Sequence, residues 1–347
     1  MNNLSELKSR FENSLKDLVL SRIPGNMPGL QEMVSYHFGW NDPSSKAGKR
    51  LRPLFLLTCG QMFGSQPQDL MPAAVAMEVL HNYTLIHDDI EDQGLTRHGR
   101  ECLWRRYGLA QSLNVGDFLS TMSHDIFCEV GPLVEPEIFT KAYAVFRDAT
   151  LGVLRGQYLD IHFETEKNVS LDQYLEMIRL KTSCLISASI RIGAILAGVD
   201  DETECCLEQI GEHAGLAFQI QDDYLGIWGE TATTGKSNLT DLTTRKKTYP
   251  ILLGLTETPA FKVAWETNSE ITENFARNLA KVLSDAGIDS KTKEAVLKHL
   301  HVIKMGEDRF SDLSENSSAF WGLLNSAFTP TLAYTLKQKS SKSNAQI

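Results

Sequence analysis

Two clusters of carboxylates follow apolar runs in this sequence. The first is Asp88-Asp89-Ile90-Glu91-Asp92, and the second is the pair Asp222-Asp223. Residues four apart on a helix share a face, so Asp88 and Asp92 should project together with Asp89 beside them. Crowded carboxylates repel one another unless a cation neutralises them, and Mg²⁺ binds to carboxylates plus substrate phosphates. The clusters therefore predict a magnesium site, with a solvated acidic helix end as the alternative for the first cluster.

The second cluster offers fewer ligands than the first. Position four after Asp222 is Gly226, so only the adjacent pair of carboxylates remains. Taken alone, such a pair is a weak signal. As the partner of the first cluster it predicts a second metal-binding position, with Asp222 as the ligand.

Basic residues flank both clusters. Lys49, Arg50 and Arg52 lie within four residues at the start of a predicted helix, where the helix N-terminus also favours an anion. Further cations follow the two clusters: Arg97 and Arg100 after the first, and Lys236, Lys246 and Lys247 after the second. Arginine suits forked contacts to phosphate oxygens and lysine supplies a point charge. Any one of these residues is more often a surface residue, but the set predicts a polyphosphate ligand.

A second interpretation starts from His87-Asp88, which could belong to a helical metal-dependent phosphohydrolase. That class needs further histidine ligands, and the sequence around Asp222 offers none. We therefore rank it well below the polyphosphate interpretation.

Helical periodicity dominates the elements that must position these residues, and no series of alternating strands is evident. The sequence predicts an all-α fold with helices at about 3 to 22, 28 to 39, 47 to 63, 68 to 93, 108 to 130, 135 to 163, 171 to 198 with a break near Lys181, 201 to 229, 248 to 257, 271 to 286, 289 to 303 and 313 to 326. We expect one domain over residues 1–336 and a disordered polar tail at 337–347. The loop 229–247 directly follows the second cluster and is a candidate lid.

Composition excludes several classes of function. The net charge of -10 argues against general attraction to nucleic acid or anionic membranes, so an anionic substrate must be held by local cations. No apolar run approaches the roughly 18 residues that cross a bilayer, and residues 1–22 lack the apolar centre of a signal peptide. The six cysteines show no Cys-x-x-Cys spacing. We expect a soluble, cytoplasmic protein with reduced cysteines.

From about residue 46 to residue 250, the sequence resembles the trans-isoprenyl diphosphate synthases, in several motifs that occur in order. Asp88-Asp89-Ile90-Glu91-Asp92 is similar to the family's first aspartate-rich motif, and Asp222-Asp223 to the start of its second. The resemblance implies an isoprenoid synthase helical bundle around a central active-site cavity. It also implies a homodimer that binds three Mg²⁺ ions and joins isopentenyl diphosphate to an allylic diphosphate.

The resemblance also implies roles for individual residues. Isopentenyl diphosphate would be held by Lys49, Arg52 and His81. Diphosphate, mainly that of the allylic substrate, would be held by Arg97, Lys181, Lys236 and Lys247. The developing carbocation would be stabilised by Thr182 and Gln219, for which satisfied polar groups in the core are the alternative.

Three positions depart from the family pattern. His98 stands where the family usually has a second arginine for isopentenyl diphosphate, which weakens that contact without abolishing it because Arg100 is nearby. Gly226 replaces the usual last aspartate of the second motif, and Glu101 replaces a common proline. The first two could tune substrate preference or indicate a changed reaction.

Product length in the family depends on residues just before the first aspartate. The resemblance implies that a bulky Tyr83 lies near the floor of the product tunnel and that Thr84 leaves moderate depth, which favours geranylgeranyl diphosphate and then farnesyl diphosphate. Ordinary packing between helices is the alternative for Tyr83.

Two other functions stay open at this point. A class I terpene cyclase on the same scaffold would fit His98 and Gly226, but it has no second substrate for Lys49, Arg52 and His81 to hold. A non-catalytic subunit of an active synthase would be free to lose its metal ligands, whereas the first cluster is intact.

Overall fold

The computed structural model describes residues 2–42, 48–229, 239–268 and 270–328, and these residues are almost entirely helical. The predicted all-α fold is confirmed. The helices up to residue 128 are α1 (Asn2–Leu20), α2 (Pro28–Phe38), α3 (Leu51–Met62), α4 (Pro67–Glu91), α5 (Leu103–Tyr107) and α6 (Leu109–Cys128). Between α4 and α5 lie two short strands, β1 (Thr96–Arg97) and β2 (Arg100–Glu101).

The remaining helices agree with the predicted ones to within two residues, except that α15 extends six residues further, and there are two short additions. They are α7 (Pro136–Thr165), α8 (Leu171–Ile178), α9 (Cys184–Leu196), α10 (Asp201–Trp228), α11 (Thr240–Thr243), α12 (Tyr249–Glu257), α13 (Pro259–Thr267), α14 (Glu273–Asp285), α15 (Ile288–Arg309) and α16 (Ser314–Ser326). A π-helical segment, Arg179–Ser183, joins α8 to α9, which confirms the predicted break near Lys181.

The chain divides into two compact units. Among the described residues, the first unit contains 2–42, 48–151, 188–208 and 310–323, and the second contains 152–187, 209–229, 239–268, 270–309 and 324–328. The predicted single domain over 1–336 stays a prediction. The predicted tail and residues 230–238 of the candidate lid lie outside the described residues.

The first unit is built around α4. Every residue from Leu70 to Leu80 is buried, because this part of the helix is an almost unbroken run of apolar side chains. Helices α3 and α6 pack against it. Elsewhere in this unit α3 meets the backbone of α9 through two glycines: a Cβ atom added to Gly60 would lie 3.2 Å from the carbonyl oxygen of Gly193.

The second unit has its own apolar core. Phe261 and Leu283 are fully buried there together with Leu242 and Ile251, so helices α11 to α14 share one cluster. The π-helical segment packs closely against α7 and α10. A Cβ atom at Gly156 would lie 2.6 Å from Cα of Lys181, and one at Gly215 would lie 2.5 Å from Oγ of Ser183.

The hairpin of β1 and β2 was not predicted, since two-residue strands are too short to show alternation. Its turn residues His98 and Gly99 both have positive φ, of 51° and 77°, as a tight hairpin turn requires. All six cysteines are free. Among the described residues, no helix is both long and apolar enough to cross a membrane.

Candidate active site

The first acidic cluster lies at the C-terminal end of α4. Asp88 is in the last turn, and Asp92 is the residue that caps the helix, with its backbone N–H donating to the carbonyl of Asp88 at 2.9 Å. The two residues are therefore one turn apart, as predicted. Asp92 is exposed and Asp88 is partly exposed, so both carboxylates can reach a ligand in solution.

Asp89 is used differently. It is buried, and Nε of Arg97 donates to both of its carboxylate oxygens at 2.9 Å, while Nη2 donates to Oδ1 at 2.7 Å. Nη2 of Arg97 also lies 3.4 Å from Oδ2 of Asp88. The sequence predicted Asp89 as a metal ligand and Arg97 as a diphosphate ligand; in the structure each binds to the other. Asp88 and Asp92 remain as the predicted metal ligands of this cluster that are not buried, and Glu91 beside them is exposed as well.

The predicted ligands of isopentenyl diphosphate come from two neighbouring elements of the first unit. Lys49 is exposed and precedes α3, whose first turn carries Arg52. Nη1 of Arg52 lies 3.1 Å from Nε2 of His81 on α4. The structure thus brings Arg52 and His81 together, with Lys49 three residues before Arg52.

His81 is held neutral. Burial, together with the charges of Arg52, Arg97 and Arg50, lowers the pKa of His81 well below its ordinary value. Because arginine can only donate, Nε2 of His81 accepts and the ring proton lies on Nδ1. Nδ1 is buried and has no hydrogen-bond partner among the described residues. It is an unsatisfied donor beside a guanidinium group, which suits an anionic ligand.

The predicted group of three cations before α3 is reduced to two, because Arg50 does not belong to it. Its side chain is buried rather than presented to a ligand, and it is paired with Glu78 and Glu12. The sequence could not separate it from its neighbours, because its partners are 28 and 38 residues away. The candidate anion site therefore has Lys49 and Arg52 as its charges.

The hairpin positions two further basic side chains. His98 lies at its tip and is largely exposed; partial desolvation of the ring, together with the charges of Arg97 and Arg100, lowers the pKa of His98. Neutral histidine does not supply the charge of the arginine it replaces. Arg100 does not compensate, because its guanidinium donates to the carbonyls of Tyr36 at 2.6 Å and His37 at 3.3 Å, in the last turn of α2.

The second acidic cluster lies near the C-terminal end of α10, in the second unit. Its two aspartates have opposite environments: Asp222 is exposed and Asp223 is buried. Asp223 accepts hydrogen bonds from the hydroxyl of Tyr174, from the backbone N–H of Tyr249 at 3.0 Å and from Nε2 of Gln219 at 3.2 Å. Burial raises the pKa of Asp223 to about 7, against the effect of these donors. The exposed Asp222 is the candidate metal ligand.

Thr182 and Gln219 lie in contact, as their shared predicted role requires. Oγ1 of Thr182 donates to Oε1 of Gln219 at 2.9 Å, and the amide nitrogen of Gln219 donates to Asp223. The two bonds fix which way the amide points. Thr182 belongs to the π-helical segment, so this irregular turn helps to aim it at α10.

A charged residue of the candidate site that the sequence did not indicate is Asp160, on α7. Its carboxylate accepts from Nζ of Lys181 at 2.5 Å and lies 3.9 Å from Nζ of Lys246. Burial alone would raise its pKa, but Lys246 and Lys181 hold the pKa of Asp160 below its ordinary value. The sequence signal was weak, because Asp160 is a single carboxylate within a long helix.

The two adjacent lysines, Lys246 and Lys247, have different partners, as Asp222 and Asp223 do. Nζ of Lys247 donates to the carbonyls of Phe163 at 2.6 Å and Glu164 at 3.1 Å, near the C-terminal end of α7. It is Lys246 that approaches Asp160 and Lys181. The predicted diphosphate ligand Lys236 lies outside the described residues.

Gly226, the departure in the second motif, has an acid beside it from another element. A Cβ atom at Gly226 would lie 2.9 Å from Cγ of Asp241, and the backbone N–H of Leu239 donates to the carbonyl of Gly226 at 3.0 Å. The carboxylate of Asp241, on α11, therefore lies where a side chain at position 226 would begin.

The two residues predicted to set product length lie on α4, one turn before the first cluster. Tyr83 is buried, and its ring meets the ring of His87 edge-on at 4.8 Å. The imidazole of His87 fits there because Gly116 on α6 has no side chain: a Cβ atom at Gly116 would contact the ring. Thr84 is half-buried, and its hydroxyl donates to the carbonyl of His81 at 2.8 Å.

The donor set suits Mg²⁺, because it consists of carboxylate oxygens on exposed helix ends. The described residues contain no group of three or more His, Cys, Asp or Glu side chains arranged to hold a metal ion by themselves. Magnesium commonly binds to one or two carboxylates and completes its shell with water and substrate phosphates. Asp88 with Asp92 in the first unit, and Asp222 in the second, are therefore reasonable partial ligand sets.

Three similarities to known proteins accompany this geometry. A (2E,6E)-farnesyl diphosphate synthase of Mycobacterium bovis is 37% identical over 229 residues, which are 65% of this chain and 63% of that protein. A geranylgeranyl diphosphate synthase of Sulfolobus acidocaldarius is 33% identical over 292 residues, 84% of this chain and 82% of that protein. A crystal structure of a geranylgeranyl pyrophosphate synthase matches with a TM-score of 0.81 and 31% identity, covering 94% of this chain and 98% of that one.

The chain thus spans just under two thirds of the mycobacterial relative and most of the other two. Residues 31–285, which contain both acidic clusters and the cations beside them, match the family model described as polyprenyl synthetase. That match covers well over half of the sequence, and the chain belongs to the polyprenyl synthetase family.

Proposed function

We propose that this protein is a trans-prenyltransferase that joins isopentenyl diphosphate to an allylic diphosphate and forms a medium-chain prenyl diphosphate. The observation that carries the proposal is the pairing, within the first unit, of two outward carboxylates one turn apart with a separate group of cations. Asp88 and Asp92 suit a metal-bound diphosphate, while Lys49, Arg52 and His81 suit a second anionic substrate. A protein that ionised a single substrate would have no use for the second group.

Magnesium is the proposed cofactor, with three ions by family resemblance. Asp88 and Asp92 would hold it in the first unit and Asp222 in the second. When bound, it supplies positive charge that stabilises the leaving diphosphate. The other charges come from the chain itself. Lys181 and Lys246, which both lie near the carboxylate of Asp160, are cations for the allylic diphosphate. Arg97 lies beside Asp88.

The proposed reaction needs no protein nucleophile. The allylic carbon–oxygen bond breaks with its electron pair leaving on diphosphate, and the double bond of isopentenyl diphosphate forms the new carbon–carbon bond. A proton is then lost to the released diphosphate, and an allylic product is regenerated. Preorganised charges around the leaving group supply most of the rate enhancement in such a step.

The remaining polar residues would orient the two substrates. The buried Nδ1–H of His81 is a donor for an oxygen of isopentenyl diphosphate, next to Arg52. In the second unit, Asp223 fixes the amide of Gln219 and Gln219 fixes Thr182, which leaves the oxygen dipoles of this pair oriented to face a cationic carbon.

The proposed product is geranylgeranyl diphosphate, followed by farnesyl diphosphate. Tyr83 is a large buried side chain one turn behind Asp88, and Thr84 beside it is small. We expect Tyr83→Ala to shift the product toward longer chains, because it removes bulk without touching a charged group. An unchanged product distribution would leave Tyr83 as an ordinary packing residue.

The direct test is to incubate the purified protein with Mg²⁺, isopentenyl diphosphate and each allylic primer, and to identify the products by mass spectrometry. We expect diphosphate release that requires both substrates and a product longer than the primer. Rapid release from the primer alone, with a cyclic hydrocarbon as product, would indicate a terpene cyclase instead. Activity that appears only with a second protein would indicate a non-catalytic subunit.

We also infer that the protein is a homodimer. Four large apolar side chains are exposed along α7 at a helical spacing: Leu151, Leu154, Tyr158 and Ile161. Residues at this spacing lie on one face of a helix, and a contiguous exposed apolar face commonly marks an interface. The family resemblance supports a second copy of this chain as the partner.

A cytoplasmic location is proposed as well, since all six cysteines are free.

A further inference from the structure

Arg50 holds an unfavourable backbone conformation in the middle of the proposed isopentenyl diphosphate site. It lies between Lys49 and Arg52 and immediately precedes α3. Its φ and ψ are 55° and 37°, in the left-handed region. That region is disfavoured for residues other than glycine, so neighbouring contacts must maintain it. The conformation of Arg50 sets the direction in which the chain arrives at α3, and with it the relative placement of the two flanking cations.

The contacts of Arg50 are two carboxylates, one of them deeply buried. Nη1 donates to Oε1 of Glu78 at 2.6 Å, and Nε donates to Oε1 of Glu12 at 2.9 Å. The Glu78 residue is only 4% exposed, whereas the side chain of Glu12 is 26% exposed. A buried carboxylate that loses its cation is left with an uncompensated charge. Glu78 is therefore the stronger restraint on Arg50.

Glu78 is itself part of a hydrogen-bonded chain that continues along α4. Nδ2 of Asn82 donates to Oε1 of Glu78 at 3.0 Å and to its carbonyl at 2.8 Å. This leaves Oδ1 of Asn82 as the acceptor for Nε2 of His37, at 3.1 Å. Burial and the charge of Arg97 lower the pKa of His37 to about 3, so the ring is a neutral donor.

The same stretch of α4 carries a proposed substrate ligand. His81 precedes Asn82 and meets Arg52 at 3.1 Å. The chain Arg50–Glu78–Asn82 thus joins the segment before α3 to the turn of α4 that presents His81. Both halves of the proposed site, the Lys49–Arg52 segment and His81, depend on one buried carboxylate.

We propose that Glu78 is a positioning residue for isopentenyl diphosphate. It touches no substrate itself and acts through Arg50, whose left-handed backbone fixes Lys49 and Arg52 relative to His81. The inference rests on the proposed function, since it assumes that these three residues hold isopentenyl diphosphate.

The test is the kinetic effect of Glu78→Gln, which keeps the size of the side chain and removes its charge. We expect KM for isopentenyl diphosphate to rise about tenfold, the size of one lost charge-assisted hydrogen bond. KM for the allylic diphosphate and kcat should each differ from the wild-type value by less than about threefold. Equal increases in both KM values, or a fall in kcat alone, would overturn the proposal by indicating general damage.

The matched control is Glu204→Gln. Glu204 is also in the first unit and equally buried at 4%, and its carboxylate is paired with Arg191 and Lys141. Both variants should lose thermal stability, because each removes a buried negative charge that is paired with an arginine. Only Glu78→Gln should change KM for isopentenyl diphosphate. The same KM change in Glu204→Gln would show that the effect is not specific and would overturn the proposal.

Two further variants keep the test decisive. If Glu78→Gln does not fold, Glu12→Gln alters the more exposed partner of Arg50 and should raise the same KM by a smaller factor; an unchanged value overturns the proposal.

Arg52→Ala separates the positioning role of Glu78 from the proposed ligand set for isopentenyl diphosphate. If it leaves KM for isopentenyl diphosphate unchanged, the proposed ligand set is wrong. If it raises that KM while Glu78→Gln does not, only the positioning role is wrong.

Discussion

At the residue scale, adjacent side chains with the same chemistry have different tasks in this protein. Asp222 is exposed and Asp223 is buried, Lys246 approaches Asp160 and Lys247 binds carbonyls, and Arg50 is enclosed while Lys49 is open. Consecutive residues on a helix point about 100° apart, which separates Asp222 from Asp223 on α10. The other two pairs lie outside the helices, and there the contacts of the two members differ. The sequence identifies such pairs, but the packing decides which member faces a ligand.

The two lysines give a direct test of this division. We expect Lys246→Ala to raise KM for the allylic diphosphate about tenfold, through loss of a cation near Asp160 and Lys181. Lys247→Ala should instead lower the free energy of unfolding by about 1 kcal/mol, because its ammonium stabilises the C-terminal end of α7. Steady-state kinetics and urea denaturation of both variants separate the effects. A higher KM for the allylic diphosphate in Lys247→Ala, with an unchanged KM in Lys246→Ala, would contradict this division.

A second test at this scale concerns Gly226 and Asp241. Restoring an aspartate at position 226 should destabilise the protein by about 2 kcal/mol or more, because the new side chain meets the carboxylate of Asp241. The double variant Gly226→Asp/Asp241→Gly should recover much of that loss. A double-mutant cycle from thermal unfolding measures the coupling, and simple additivity would contradict the steric explanation.

A third test uses the buried His37. Its pKa of about 3 in the folded protein is below the ordinary value of 6.5, so the unfolded chain binds more protons between these pH values. Stability contributed by neutral His37 is therefore present above pH 6.5 and is lost as the pH falls toward 3, by up to about 1.4 kcal/mol per pH unit. His37→Gln keeps a donor for Asn82 without titrating. Parallel stability curves for the two proteins over this range would refute the assignment.

At the scale of elements, the π-helical segment and the glycines that face it position the groups of the second unit. Gly156 on α7 and Gly215 on α10 allow two helices to approach the backbone of Arg179–Ser183. The segment carries Lys181 and Thr182, so its placement sets both the Lys181–Asp160 pair and the Thr182–Gln219 bond. The sequence indicated a break in this helix but not its form, because glycine spacing alone does not reveal which backbone it contacts.

Gly156→Ala tests this arrangement. The added methyl group would lie 2.6 Å from Cα of Lys181, which is backbone and cannot rotate away. We expect a loss of about 2 kcal/mol in stability, with reduced kcat as Lys181 and Thr182 shift. Gly322→Ala, on an open face of α16, is the control and should stabilise slightly through lower chain entropy. Similar melting temperatures for the two variants would rule out close packing at Gly156.

At the scale of the whole molecule, the sequence predicted the class of fold and nearly all the long helices. Periodicity succeeds for helices such as α4 and α7, because their apolar faces recur over many turns. It failed for β1, β2, α5 and α11, which are too short to show a period, and it also missed the nine-residue α13. The site followed the same rule. Charged motifs such as Asp88 and Asp92 could be read locally, whereas Asp160, Asp241 and the Arg50–Glu78 pair depend on contacts between distant parts of the chain.

The homodimer is the prediction that belongs to this scale. Leu154→Asp/Tyr158→Asp places two charges in the exposed apolar face of α7 and should convert the protein to a monomer, measured as molar mass by light scattering. Val263→Asp is the matched control, since Val263 is 62% exposed on α13 and lies on no such stripe. A wild-type protein that is already monomeric would contradict the inference.

The short hairpin at residues 96–101 has one further consequence. Arg97 and Arg100 are directly opposite each other in its register, an arrangement in which two like charges repel. Each is neutralised by a different helix end, Arg97 by Asp89 on α4 and Arg100 by the carbonyls of α2. The hairpin therefore connects the C-terminal ends of α4 and α2, through the contact of Arg97 with Asp89 and the contact of Arg100 with the carbonyls of α2. A carboxylate inside the first acidic cluster thus also holds the hairpin against α4, which links the shape of that cluster to the C-terminal end of α2.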